Sequence, residues 1–378
     1  MKYFIIAGEA SGDLHASNLM RELKKKDANA DFCFLGGDLM QKQGGLMVKH
    51  YRQMAFMGFL NVLLNARTVL QNLRDCKNAI LNYKPDVVIL VDYPSFNLRI
   101  ARFVKEELTA IPVYYYISPK IWAWKEYRIK QIKKYIDKMF TIFPFETEFY
   151  ALHNYQVDYV GNPTVDSISE FSPRFDSLTA FCKHNKLDEK PIVAILAGSR
   201  KQEIKHCLER MISAAVSFEE YQIVVAGAPG IDKAFYYSTL PKVNFQIVFD
   251  QTYELLSHAH IAIVNSGTAT LETALFNVPE VVVYHVAMGR LAGWLKDILI
   301  KVKYISLVNL IADKEVVKEL VAHNFTENNI KGELPRMLFD EDFRKEMMND
   351  YALVKERLGE PGAANHAAEK ILFYLKNV

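Results

Sequence analysis

The sequence predicts an α/β protein made of two domains, each a parallel sheet covered by helices. Three observations predict it. Apolar runs such as Val87–Val91 and Ile192–Ala197 show no polar alternation, the pattern of strands buried on both faces. Each runs into a turn carrying Gly, Ser or Asp that opens a helical stretch, and this strand–turn–helix unit recurs through both halves of the chain. The recurrence pauses at Gly161, Asn162 and Pro163, a loop cluster that marks the expected boundary. Residues 1–163 then form a first domain and 164–340 a second, followed by C-terminal helices over 341–378.

Composition sets the limits. With 378 residues, half of them hydrophobic, the chain can bury two substantial cores. A formal net charge of +2 is too even for a nucleic-acid footprint, so no nucleic-acid partner is expected. Cys33, Cys76, Cys182 and Cys207 form no CxxC pair and read as small core hydrophobes of a reducing compartment. Tyr3–Ala7 is too short for a signal-peptide core and no run approaches ~18 apolar residues, so the expectation is a cytoplasmic protein whose membrane contact is local. The histidines lack ligand spacing, and Asp340-Glu341-Asp342 stands at a helix start with no strand before it; neither a metal nor a cofactor is expected.

In the first half, the strand Tyr3–Ala7 leads through Gly8-Glu9-Ala10-Ser11-Gly12-Asp13 into a helix from Leu14 to Lys26. The glycine spacing falls short of a dinucleotide fingerprint. Backbone N–H groups of this loop can face a ligand, and helix capping by Ser11 or Asp13 is the alternative. After the strand Asp31–Leu35 comes an odd segment, apolar nearly all round a helix from Met54 to Leu64. It is either a buried helix or a lipid-facing patch of Phe56, Phe59, Leu60, Leu63 and Leu64, with Lys49, Arg52, Arg67 and Arg74 nearby for anionic head groups. The strand Val87–Val91 ends at Asp92. Ligands of open α/β sheets bind at the carboxyl ends of strands, so Asp92 is a candidate catalytic carboxylate, or else a cap of the following helix. Beyond the strand Val113–Ile117, Ser118 to Trp124 carries Trp122 and Trp124, suited to a wall for a sugar ring or acyl chain, or to core packing. Lys125 to Lys138 reads as a basic helix, Met139–Phe143 as a strand, Glu146–Asn154 as a helix and Val157–Val160 as a strand.

The second half repeats the plan with different turns. Gly198-Ser199-Arg200 follows the strand Pro191–Ala197 and opens a helix running toward Phe218. A small-residue turn at a helix N-terminus is an anion site, and Arg200 adds a fork suited to a diphosphate. The alternative for Arg200 is a surface pair with Glu203, worth little. After the strands Tyr221–Ala226, Phe245–Phe249 and His260–Val264 comes Asn265-Ser266-Gly267-Thr268, a second phosphate cradle. Glu272, one turn on, suits a ribose diol or simply complements the helix dipole. Glu280–Tyr284 closes the sheet in this reading, Asn309 is a polar contact on a returning loop, and the chain is helical from Glu315.

Two Rossmann-like halves with the nucleotide signals in the second describe the glycosyltransferase B architecture, two domains facing across a cleft. Gly8–Asp13, Val91–Asn97, Ile117–Trp124, Phe143–Glu146, Gly198–Arg200 and Ser266–Glu272 together resemble the lipid A disaccharide synthases, in order from Met1 to about Leu320. The resemblance implies inverting transfer of 2,3-diacylglucosamine from its UDP carrier to 2,3-diacylglucosamine 1-phosphate, giving the β-1,6 lipid A disaccharide 1-phosphate and UDP. It implies Asp92 as the base for the acceptor 6-hydroxyl. Gly198, Ser199, Arg200, Ser266, Gly267 and Thr268 would hold the diphosphate, Glu272 the ribose, and Asn309 would lie near the nucleotide. Glu9, Ser11, Gly12, Asp13, Ser118 and Trp122 fall to the acceptor side. It favours the membrane-facing reading of the segment from Phe56 to Leu64, on the cytoplasmic face of a Gram-negative inner membrane, and it allows a homodimer with exchanged C-terminal regions. Ala197 stands where the family often has Pro, and Lys120 where a small residue is frequent; these bear on acceptor or acyl-chain preference. The rivals are a UDP-N-acetylglucosamine 2-epimerase and a non-catalytic nucleotide-sugar or lipid-binding protein.

Overall fold

The computed structural model describes residues 1–54, 66–239, 245–285 and 303–377. They form two compact units, one of residues 1–163 with 360–377, the other of 164–285 with 303–359. The segment from Phe56 to Leu64 lies outside the described residues, so neither reading of it is decided.

The first unit is built on seven strands: β1 (Lys2–Ala7), β2 (Asp31–Gly36), β3 (Leu46–His50), β4 (Val87–Val91), β5 (Val113–Tyr116), β6 (Lys138–Thr141) and β7 (Asp158–Tyr159). All are parallel, in the order β3-β2-β1-β4-β5-β6-β7. Alternation along β1 divides the core as a pleated strand must. Phe4 and Ile6 join one apolar layer with Cys76, Ile80 and Ile100, whereas Tyr3, Ile5 and Ala7 join the other with Leu19, Met20 and Ile371. That second layer includes Ala367, Ala368 and Leu372 of the helix Ala363–Lys376, which packs against the helix Ala10–Lys26.

The second unit has six strands: β8 (Ile192–Leu196), β9 (Gln222–Gly227), β10 (Gln246–Phe249), β11 (Ala259–Asn265), β12 (Glu280–Tyr284) and β13 (Lys318–Val321), parallel in the order β10-β9-β8-β11-β12-β13. The α/β class with two parallel sheets is as the sequence predicts.

Four expectations are corrected. β12 does not close its sheet, because β13 pairs beyond it (Val283 opposite Leu320), inside a stretch expected to be helical. β3 is a second unexpected strand. Both lie at sheet edges with only partial burial, so they lack the all-apolar signature of the central strands. The basic stretch from Lys125 is no single helix: Lys125 takes a left-handed backbone (φ 59°), Glu126–Arg128 is a 3-10 turn, Ile129–Tyr135 a short helix, and Lys138 opens β6. The break placed at 340/341 falls at 359/360, since the helix Glu341–Leu358 belongs to the second unit, where Tyr351 donates to the Val278 carbonyl.

Candidate active site

Each sheet turns its chain order around at one place, between β1 and β4 in the first and between β8 and β11 in the second, and the crevice at such a switch point is where open α/β sheets bind ligands. Register brings the paired loops level. Ala7 lies opposite Val91, and Val91 opposite Tyr116, so the loops at Gly8, Asp92 and Ile117 leave one sheet edge together. Val264 lies opposite Leu196, which sets the Gly198 turn beside Asn265.

In the first unit the backbone at this edge is strained. Asp92 (φ 43°), Tyr93 (φ 50°) and Ile117 (φ 64°) are all left-handed, and Ile117 is β-branched, the residue type that adopts this region most reluctantly. Surroundings over-determine the turn. The Asp92 carbonyl accepts from Tyr115 Oη and from Asn97 Nδ2 (2.6 Å), while the Asp92 N–H donates to the Tyr116 carbonyl at 3.2 Å. Gly8 is fixed by close approach, because a Cβ there would stand 2.2 Å from the Tyr93 ring. Asp92 does not cap the following helix, whose N-cap is Tyr93. Its carboxyl is instead pushed up to about 6, by burial first and then by the Glu9 charge, with Lys120 and the Tyr93 N–H pulling the other way. The capping alternative therefore fails at Asp92, and a carboxylate tuned toward neutral pH stands at the switch point.

The rest of the glycine loop has mixed roles. Glu9 is the N-cap residue of the helix Ala10–Lys26, Ser11 is exposed, and Gly12 packs against Ala7, 3.3 Å from where its Cβ would be. Asp13 is engaged by its own domain, accepting from the N–H groups of Gly37 (2.8 Å), Leu39 (3.0 Å) and Met40 (3.1 Å). It ties the β1 and β2 loops together and caps the short helix Asp38–Lys42. Ser118 is buried and Trp122 half-buried; both hydrogen-bond the Glu146 carboxylate.

In the second unit the edge is made of small residues. Gly198 has φ +112°, and a Cβ would lie 2.5 Å from Glu203 Oε2 and 2.9 Å from Asn265 Nδ2, so only glycine fits. Arg200 is the N-cap residue of the helix Lys201–Ala215. Glu203 takes the Ser199 N–H at 3.0 Å and Arg200 Nη1 at 3.3 Å, the surface pair weighed above. With the Arg200 side chain 64% exposed that pair contributes little, and the guanidinium is free to exchange it for an anion. Gly267 and Thr268 are exposed where the helix Thr268–Leu275 begins, and the first N–H groups of a helix have no partner within it. The Ser266 N–H is used by the Val283 carbonyl. Glu272 is held by Tyr253 Oη at 3.1 Å, and burial raises its carboxyl above the usual range. Tyr253, which the sequence reading passed over, is itself packed edge-on against Phe171 and tilted against Phe276.

Asn309 is corrected by its geometry. Its Nδ2 donates to the Val317 carbonyl (2.8 Å) and Glu319 (2.9 Å), and its Oδ1 accepts from Val316 N–H (2.8 Å) and Val317 N–H (2.9 Å). An amide offers two N–H hydrogens and two lone pairs, so none is left for a nucleotide. Asn309 is a wholly buried clamp that fixes β13 and, through Glu319, the N–H groups of Ile305 and Ser306.

A sequence profile of the family described as lipid-A-disaccharide synthetase matches residues 3–371. The chain belongs to that family. It is 38% identical to the lipid-A-disaccharide synthase of Myxococcus xanthus, covering 98% of this chain and 97% of the relative, and 33% identical to that of Coxiella burnetii, covering 97% and 96%. Family membership makes it a glycosyltransferase of lipid A disaccharide formation. Among solved structures it is similar to the UDP-GlcNAc 2-epimerase of Neisseria meningitidis bound to UDP-GlcNAc (TM-score 0.68, 14% identity, 100% of both chains) and to CalG4, the calicheamicin glycosyltransferase (TM-score 0.56, 13% identity, 100% and 98%). At these identities the likeness is one of fold, and it agrees with the glycosyltransferase B architecture expected of the family.

Proposed function

We propose that this enzyme transfers 2,3-diacylglucosamine from UDP to the 6-hydroxyl of 2,3-diacylglucosamine 1-phosphate, with inversion. The observation that carries the reading is Asp92, a carboxylate in a strained strand-end turn at the switch point with its pKa raised to about 6. As a carboxylate it takes the hydroxyl proton while that oxygen attacks the anomeric carbon. The bond to UDP breaks on the opposite face, its electron pair leaving on the diphosphate. One displacement of this kind inverts the centre and forms no covalent enzyme intermediate. The Arg200 guanidinium beside the Gly198 turn and the N–H groups of Gly267 and Thr268 serve the departing diphosphate, electrostatic work that preorganised donors do well. Glu272, oriented by Tyr253, serves the ribose.

Both substrates carry acyl chains, which puts the reaction at a membrane surface. No helix among the described residues is long and apolar enough to cross a membrane. In this reading the segment from Phe56 to Leu64 makes the contact on the cytoplasmic face of the inner membrane. The test incubates the purified protein with both lipid substrates in detergent and follows products by mass spectrometry, beside Asp92→Asn. Disaccharide phosphate and UDP from the wild type alone are expected. Absence of disaccharide, or epimerised UDP-N-acetylglucosamine in a parallel reaction, overturns the reading.

A further inference from the structure

Glu146 has no part in the displacement just described, yet it is wholly buried in the first unit and collects four donors. Its Oε2 accepts the N–H groups of Ile142 (3.2 Å) and Phe143 (3.1 Å), the loop that follows β6. Its Oε1 accepts Trp122 Nε1 at 3.1 Å and the Ser118 hydroxyl, from the loop that follows β5. Capping the helix Pro144–Leu152 needs only the first oxygen. The second joins the cap to a different loop, the one that starts from the strained Ile117 and carries Lys120, whose charge is felt by Asp92. The Trp122 ring stands edge-on to Phe145 at 5.0 Å, and Phe145 stacks on Phe143 at 5.5 Å, so the indole is fixed from two sides.

We propose that Glu146 is a positioning residue for the acceptor: through Ser118 and Trp122 it holds the 118–124 loop as one wall of the acceptor site beside Asp92. The proposal rests on the reaction proposed above. Four donors saturate an ionised carboxylate, whereas a neutral side chain at the same place must give up at least one of them. Burial pushes Glu146 up to about 7, with the Ser118, Phe143, Trp122 and Ile142 donors pulling it down, and the other titratable group against it, the buried Tyr150 phenol, is pushed up and stays neutral. Binding a proton near neutrality therefore reverses or breaks one of these four contacts, and with it changes the surroundings of the indole.

The test measures KM for each substrate and kcat in wild type, Glu146→Gln, Trp122→Phe and the double variant. Glu146→Gln is expected to raise the acceptor KM roughly tenfold, leaving the UDP-sugar KM within about twofold and kcat within about threefold, because it removes binding common to ground and transition states. Trp122→Phe should raise the same KM, and the double variant no more than Glu146→Gln alone, since Trp122 is one of the two contacts through which Glu146 acts. Indole emission of the wild type should titrate with a midpoint near 7, a step lost in Glu146→Gln and in Trp122→Phe. Equal changes in both KM values, additive effects, or kinetics unchanged while thermal stability falls would each overturn the proposal. Should Glu146→Gln fail to fold, Ser118→Ala carries the test: with a donor gone the emission midpoint should rise and the acceptor KM with it, and no change in either overturns the idea. If the wild type makes no disaccharide, the reaction itself falls and the proposal with it; if disaccharide forms and needs Asp92 but Glu146→Gln touches both substrates alike, only the positioning role falls.

Discussion

At the switch point of the first sheet Asp92 is half-buried, with the fully buried Glu146 behind the neighbouring loop, and the backbone at Asp92, Tyr93 and Ile117 is left-handed. At the switch point of the second, Gly267, Thr268 and Arg200 are exposed, and Gly198 leaves room for Glu203 and Asn265. In the proposed reaction the same sheet geometry serves two chemistries. A group that must accept a proton near pH 7 needs its charge partly desolvated. A diphosphate needs N–H groups and a cation that remain reachable and give up little to bind it.

That contrast can be broken most sharply at Asp92. Asp92→Asn keeps size and removes the base, so kcat should fall by about 10²-fold or more with UDP affinity unchanged, read by initial rates beside calorimetric UDP titration. A second strong effect is structural. Asn309→Ala strips four buried hydrogen bonds from the floor of the second unit and should lower its stability by about 3 kcal/mol in chemical denaturation, with Asn309→Asp no rescue because it lacks the two N–H donors. Arg200→Ala should weaken UDP binding about tenfold while the pH profile stays as it is, the mirror image of Asp92→Asn; unchanged UDP affinity would remove Arg200 from the diphosphate. The smallest effect concerns pH. Asp92 acts as a carboxylate and its pKa is raised to about 6, so kcat/KM should fall as pH drops through that value. Lys120→Met removes a charge that lowers the Asp92 pKa and should move this acidic limb up by roughly half a unit, while Glu9→Gln should move it down by a similar amount.

How legible all this was in the sequence depended on burial. Central strands such as β1, β4 and β8 are apolar at nearly every position, and their pattern, with the turns that follow, was enough to find the strand-end loops at Asp92, Gly198 and Ser266. The edge strands β3 and β13 show half-polar faces, which read as loop or helix. Among site residues, Gly198, Arg200 and Asp92 announce themselves because a turn type or a strand end calls for them locally. Asn309 and Asp13 also look like ligand contacts from local position, but their partners Val316, Glu319, Gly37 and Met40 become neighbours only on folding. The contacts of Glu146 and Tyr253 with candidate site residues were missed for the converse reason, since each is made to a loop or helix distant in sequence. Backbone strain at Ile117 has no sequence signature of any kind.

The helix Ala363–Lys376 supplies Ala367, Ala368, Ile371 and Leu372 to the core layer that also holds Tyr3, Ile5 and Leu19. Synthesis runs from the N-terminus, so the residues that open the first unit wait for the helix that covers them until every residue of the second unit has been made. The half made first is the half finished last. In the interval the nascent first unit lacks the cover of that helix over the apolar layer around Leu19 and Met20, surface of the kind that chaperones shield.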